Sequence, residues 1–147
     1  MGNSILQKQP IIIEEVFNTS VSTVWKAITD KDEMKIWYFD LDEFKAEKGF
    51  KFQFSGGASP EEQYLHLCEV TDVIPEKELI YSWSYDGYPG KSFVMFDLSE
   101  QGNNTLLKLT HSGLETFPQE NPAFSAHNFQ LGWNEIIHNS LKKFLKQ

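Results

Sequence analysis

A chain of 147 residues suits one domain with one hydrophobic core. Its net charge of −8 argues against a nucleic-acid partner, whose phosphates are bound through Lys and Arg, and against docking on anionic lipid. Aromatic residues make up 14% of the chain, enough for large core side chains or a lined pocket, and the one cysteine, Cys68, allows no intrachain disulfide and fits the reducing cytoplasm.

MGNSILQKQP has no long apolar run, so it predicts neither a signal peptide nor a membrane span, and residues 1–8 read as a frayed start. QPIIIEEVFN, from Gln9 to Asn18, is apolar and β-branched and predicts a strand. SVSTVWKAITD predicts a helix, because Val21, Val24, Trp25 and Ile28 share one face and Ser20 can cap it. KDEMKIWYF predicts a second short helix with Met34 and Trp37 together. GFKFQFSGG alternates, with Phe50, Phe52 and Phe54 on one side and Lys51 and Gln53 on the other. GGASPEE reads as a turn from its Gly, Ser and Pro content.

QYLHLCEVTDVI predicts a strand that Pro75 ends. KELIYSWSYDG alternates again, with Leu79, Tyr81, Trp83 and Tyr85 on one face. After the turn DGYPG come the strand KSFVMFDLS, the turn EQGNN and the strand TLLKLTHSG, in which Leu107, Leu109 and His111 face together. LETFPQENPAF is a loop broken by two prolines.

HNFQLGWNEIIHNSLKKF, from His127 to Phe144, predicts a long helix. Phe129, Trp133, Ile136, Ile137, Ser140 and Phe144 fall within an arc of roughly 100°. Gly132 sits inside this helix at a cost of about 1 kcal/mol relative to Ala. The sequence reading is that it admits a close neighbour beside Trp133. Lys142, Lys143 and Lys146 suit a helix C-terminus. Strand, two short helices, further strands at hairpin spacing and a long helix together predict an antiparallel sheet in an α+β domain spanning 1–147.

The expected cavity candidates are Trp37, Phe52, Phe54, Tyr81, Trp83, Tyr85, Phe96, Leu109, His111, Phe129, Trp133 and Ile137, between sheet and helix. Either they wall a pocket, with Tyr81, Tyr85 and His111 as its polar groups, or they fill the core. A histidine on an apolar strand face is more often a hydrogen-bonded core residue than a catalyst. As a catalyst, His111 would need Tyr81 or Tyr85 as a proton donor. His66 and Cys68 share a strand face, but a metal site needs three or four ligands. Cys68 reads as a small buried hydrophobe. The sequence calls for no metal and no cofactor.

FNTSVSTVWKAITD, from Phe17 to Asp30, resembles the entry of a known family, with Phe17, Val24, Trp25, Ala27, Thr29 and Asp30 at matching spacing. Ser20 stands where that pattern has proline and Ile28 where it has leucine. KIWY (Lys35 to Tyr38), GF (Gly49 and Phe50, one glycine short), VIPEKELIYSW (Val73 to Trp83), TLLKLTHSGL (Thr105 to Leu114) and GW (Gly132 and Trp133) follow in that family's order. The family is the START-like, helix-grip superfamily SRPBCC, in the branch named for the activator of the heat shock protein 90 ATPase. The resemblance covers Phe17 to Phe144.

The resemblance implies a curved antiparallel sheet of about six strands wrapped around a long C-terminal helix, two short helices after the first strand, and a cavity between helix and sheet. The first function it implies is non-enzymatic binding of a small apolar or aromatic molecule. The alternatives are a stress-related, co-chaperone-like role with a chaperone partner, and a cyclase- or dehydratase-like enzyme using His111. The expected protein is cytoplasmic, a monomer or weak dimer, with no nucleic-acid or membrane partner.

Overall fold

The computed structural model describes residues 9–59 and 61–146, so the frayed start expected at 1–8 lies outside the described residues. Six strands form one antiparallel sheet: β1 (Ile11–Phe17), β2 (Lys51–Ser59), β3 (Glu62–Ile74), β4 (Glu78–Tyr85), β5 (Ser92–Gln101) and β6 (Asn104–Ser112). Their spatial order is β1-β6-β5-β4-β3-β2. Strands β2 to β6 therefore form a meander of hairpins, and β1 closes beside β6, with Ile13 opposite Leu109. The two sheet edges, β1 and β2, are joined by the segment that carries helices α1 (Val21–Thr29) and α2 (Lys31–Trp37).

Alternation puts the apolar side chains on one face. Ile11, Ile13 and Phe17 of β1, Leu79, Tyr81, Trp83 and Tyr85 of β4, and Leu107, Leu109 and His111 of β6 are all buried. Helix α1 starts where Ser20 Oγ accepts the Thr23 amide at 3.3 Å, and α2 where Asp30 accepts the Asp32 amide at 3.1 Å. Val24, Ala27 and Ile28 of α1 and Met34 and Trp37 of α2 are buried. The Trp37 indole N–H donates to the Ala27 carbonyl at 2.8 Å and locks the two helices together.

GGASPEE is not a turn throughout. Strand β2 continues to Ser59, with its register shifted between Gly56 and Ser59, so most of this segment is strand. A Cβ on Gly57 would collide with the Glu62 carbonyl, so glycine there permits a close backbone approach. Its composition suggested a turn because Gly is common to turns and to bulges. EQGNN narrows in the same way, since Gln101 already pairs with Asn104. The loop LETFPQENPAF contains two 3-10 turns, Leu114–Thr116 and Pro122–Phe124.

The C-terminal helix α3 begins at Ala126, after Ser125 caps the Asn128 amide at 3.1 Å. It is α-helical over Ala126–Glu135, widens to a π-helix over Ile136–Leu141, and closes with Lys142–Phe144. Its buried residues are Phe129, Trp133, Ile137 and Leu141, each four after the last. In a regular α-helix that spacing drifts by about 40° per step. The wider turn offsets the drift and keeps Leu141 on the sheet side. This corrects the expected arc: Leu141 replaces Ser140 and Phe144, which are half-buried. Ser140 instead donates to the Trp37 carbonyl at 2.7 Å, tying α3 to α2.

Candidate functional site

Between the first half of α3 and the β2–β3–β4 side of the sheet lies a cavity of about 590 Å³. Its walls come from several elements, with Gly56 and Gly57 contributed by β2. Strand β4 supplies Trp83 and Tyr85, β3 supplies Tyr64 and His66, α3 supplies Phe129, Gly132, Trp133 and Ile136, and the second 3-10 turn supplies Phe124. Phe39, just after α2, closes one side, and Glu62 stands at the hairpin end.

Of the twelve expected residues, Trp83, Tyr85, Phe129 and Trp133 border this space. Trp37, Phe52, Phe54, Tyr81, Phe96, Leu109, His111 and Ile137 are buried but do not border it. The aromatic set is divided: part walls a cavity and part fills the core behind it. Tyr81 illustrates the second part. Its hydroxyl is bonded to that of Tyr38 at 2.7 Å, and burial pushes both phenol groups well above their ordinary titration range.

His111 shows how the core is tied to the helix. The Trp133 indole can only donate, and it donates to His111 Nδ1 at 2.9 Å. In the neutral ring the hydrogen then sits on Nε2, which donates to Ser92 Oγ at 2.7 Å. Ser92 donates onward to the Trp83 carbonyl at 3.3 Å. Burial holds the imidazole neutral by lowering its pKa to about 3. Both ring nitrogens are used and the side chain is fully enclosed, so His111 works as a strut between α3, β4, β5 and β6.

His66 is the imidazole that does border the cavity. Its Nδ1 lies 3.0 Å from the Tyr64 carbonyl, and the Phe54 carbonyl also faces the ring, so two backbone acceptors compete for the hydrogen of the neutral imidazole. Its ring stacks on Phe54 with centroids 4.5 Å apart, and burial lowers its pKa to about 4. Tyr85 Oη accepts from the Trp83 indole at 2.9 Å, and burial raises its phenol pKa. The Tyr64 hydroxyl donates to Glu62 Oε1 at 3.4 Å. Cys68, on the same strand face as His66, is buried and its thiol pKa is pushed up, which suits the expected inert role.

Phe39, Tyr64, His66 and Phe124 were missed as wall residues. Tyr64 and His66 had a legible signal, since both lie in alternation with Cys68 on β3. Phe124 had none, because a loop's packing is not periodic. The expected close approach at Gly132 is overturned: a Cβ there would meet nothing within 4 Å. Gly132 borders the cavity, so its missing side chain leaves the space beside Trp133 open.

Among the described residues no group of three His, Cys, Asp or Glu is placed to hold a metal ion, and no helix is long and apolar enough to cross a membrane. No curated protein matches the chain. Several solved structures do. CalU16 from Micromonospora echinospora is 26% identical with a TM-score of 0.72, over 92% of this chain and 75% of that one. Protein BH1534 from Bacillus halodurans is 26% identical with a TM-score of 0.70, over 92% and 96%. Protein MLL2253 from Mesorhizobium loti is 23% identical with a TM-score of 0.76, over 94% and 97%, a likeness of fold. The family described as Activator of Hsp90 ATPase homolog 1-like protein matches residues 18–146. The chain therefore belongs to that family, with the helix-grip fold that its motifs suggested.

Proposed function

We propose that this protein binds a small apolar or aromatic molecule, without chemical turnover, in the cavity between α3 and the sheet. The observation that carries the reading is the cavity itself: about 590 Å³ walled by Phe39, Tyr64, Trp83, Tyr85, Phe124 and Trp133. Ligand pockets are typically apolar spaces of this size with few polar groups. The strut role of His111 supports a binder over a cyclase- or dehydratase-like enzyme. Native mass spectrometry of gently purified protein, followed by titration of the emptied chain with a naphthalene-type fluorophore, tests the reading. An extra mass lost on unfolding, or saturable fluorophore binding that Phe124→Arg abolishes, is the expected result. A bare 17.0 kDa mass with no saturable binding would overturn it.

A second reading, a chaperone-partner role, is favoured by the family and by apolar side chains near the cavity. Leu131 borders it at 55% exposure, and Tyr88, 41% exposed, packs against Tyr64 and Phe124. A pull-down without chaperone, together with an unchanged chaperone ATPase rate on addition of the protein, disposes of that reading.

A further inference from the structure

We propose that the cavity selects a small aromatic amine, in its cationic form, over the aromatic carboxylate of the same shape. The inference rests on the ligand-binding reading above and adds the ligand's charge. Among the described residues bordering the cavity there is no Lys and no Arg. The one acidic residue there is Glu62, exposed at the hairpin end with its Oε1 3.4 Å from the Tyr64 hydroxyl. His66 supplies no positive charge either. Its ring is held against the Tyr64 and Phe54 carbonyls, and burial keeps it neutral down to about pH 4.

The walls act in the same direction. Trp83, Trp133, Tyr64, Tyr85 and Phe124 present aromatic rings, and the negative face of an aromatic ring attracts a cation. Trp83 and Trp133 have ring centroids 5.8 Å apart, and Tyr85 and Phe124 4.6 Å apart, so these rings form adjoining surfaces. An ammonium group on an aromatic body would place its rings among these side chains and its charge toward Glu62 at the hairpin end. A carboxylate in the same pose would lose its hydration and meet a like charge with no donor cation. The chain's net charge of −8 adds a long-range bias of the same sign.

The test uses the full chain at neutral pH and three probes with one skeleton: naphthylmethylamine, naphthylmethanol and naphthoate, each titrated by calorimetry. The expected order is amine tightest, alcohol next and naphthoate weakest, with the amine ahead of naphthoate by about tenfold or more. Glu62→Gln narrows the amine-over-alcohol ratio several-fold. Glu100→Gln, on the β5–β6 hairpin and outside the cavity lining, leaves the ratio as it was. Naphthoate binding as tightly as the amine overturns the proposal, and so does an equal response to the two glutamine variants. Alcohol binding without any advantage for the amine removes the charge selection but leaves the cavity a ligand site. Failure of all three probes removes the ligand-binding reading, and this inference with it.

Discussion

Trp133 has one ring nitrogen and His111 has two, and together they decide what the buried imidazole does. Because the indole is a pure donor, it fixes the tautomer of His111, and the tautomer fixes the direction of the bond to Ser92. Replacing His111 with Leu strands the Trp133 indole N–H inside the core, while the Ser92 hydroxyl keeps its bond to the Trp83 carbonyl. We expect a loss of about 1–3 kcal/mol for that one stranded donor, read by urea unfolding. A variant as stable as the parent would remove the strut. Gly132 gives the opposite sign. A Cβ there meets no neighbour, so Gly132→Ala should stabilise by up to about 1 kcal/mol through helix propensity and a less flexible unfolded chain. A lower melting temperature would show that the open space beside Trp133 is needed for folding itself.

At the scale of elements, α3 forms one wall of the cavity, so its start bears on the site. Ser125 caps the helix through the Asn128 amide, and Phe124, directly before it, is a wall residue. Ser125→Ala should cost about 1 kcal/mol and weaken probe binding, with circular dichroism melting and fluorescence titration as the measurements. Strand β2 makes the complementary case. Gly57→Ala should destabilise by more than a propensity change alone, because the added carbon strikes the Glu62 backbone. An Ala variant that melts with the parent would refute the close approach.

These two elements also show what the sequence made legible. The strands and the α1 and α2 faces were readable because burial on one side leaves a period in the chain. The π turn was not, since a 100° projection assumes a uniform helix and so placed Phe144 where Leu141 is. For the site, strand alternation marked Trp83 and Tyr85, and the helical arc marked Phe129 and Trp133. Which aromatics border space and which fill the core depends on the distance between layers, and no periodicity encodes that distance. Loop residues such as Phe124 enter the wall through tertiary packing alone.

For the whole molecule, the two buried histidines make stability depend on pH. Burial lowers His66 to about 4 and His111 to about 3, against an ordinary value of 6.5 in the unfolded chain. Between those values the unfolded chain binds more protons than the folded one, so stability rises with pH. Their contribution is complete above about pH 6.5 and is lost as pH falls toward 4 and then 3. Urea midpoints measured across this window should decline on acidification. His66→Phe should remove about one proton from the slope without touching the α3 strut. An unchanged slope would mean that the ring is hydrated in solution. The strut carries one more consequence for the fold as an assembly. The hydrogen on the Trp133 indole is enclosed and points from helix to sheet, so its nuclear magnetic resonance signal should sit apart from those of Trp25, Trp37 and Trp83. It should also exchange with deuterium only when α3 lifts away. That single resonance then reports, in real time, whether an arriving guest slips in beside a closed helix or has to wait for the grip to open.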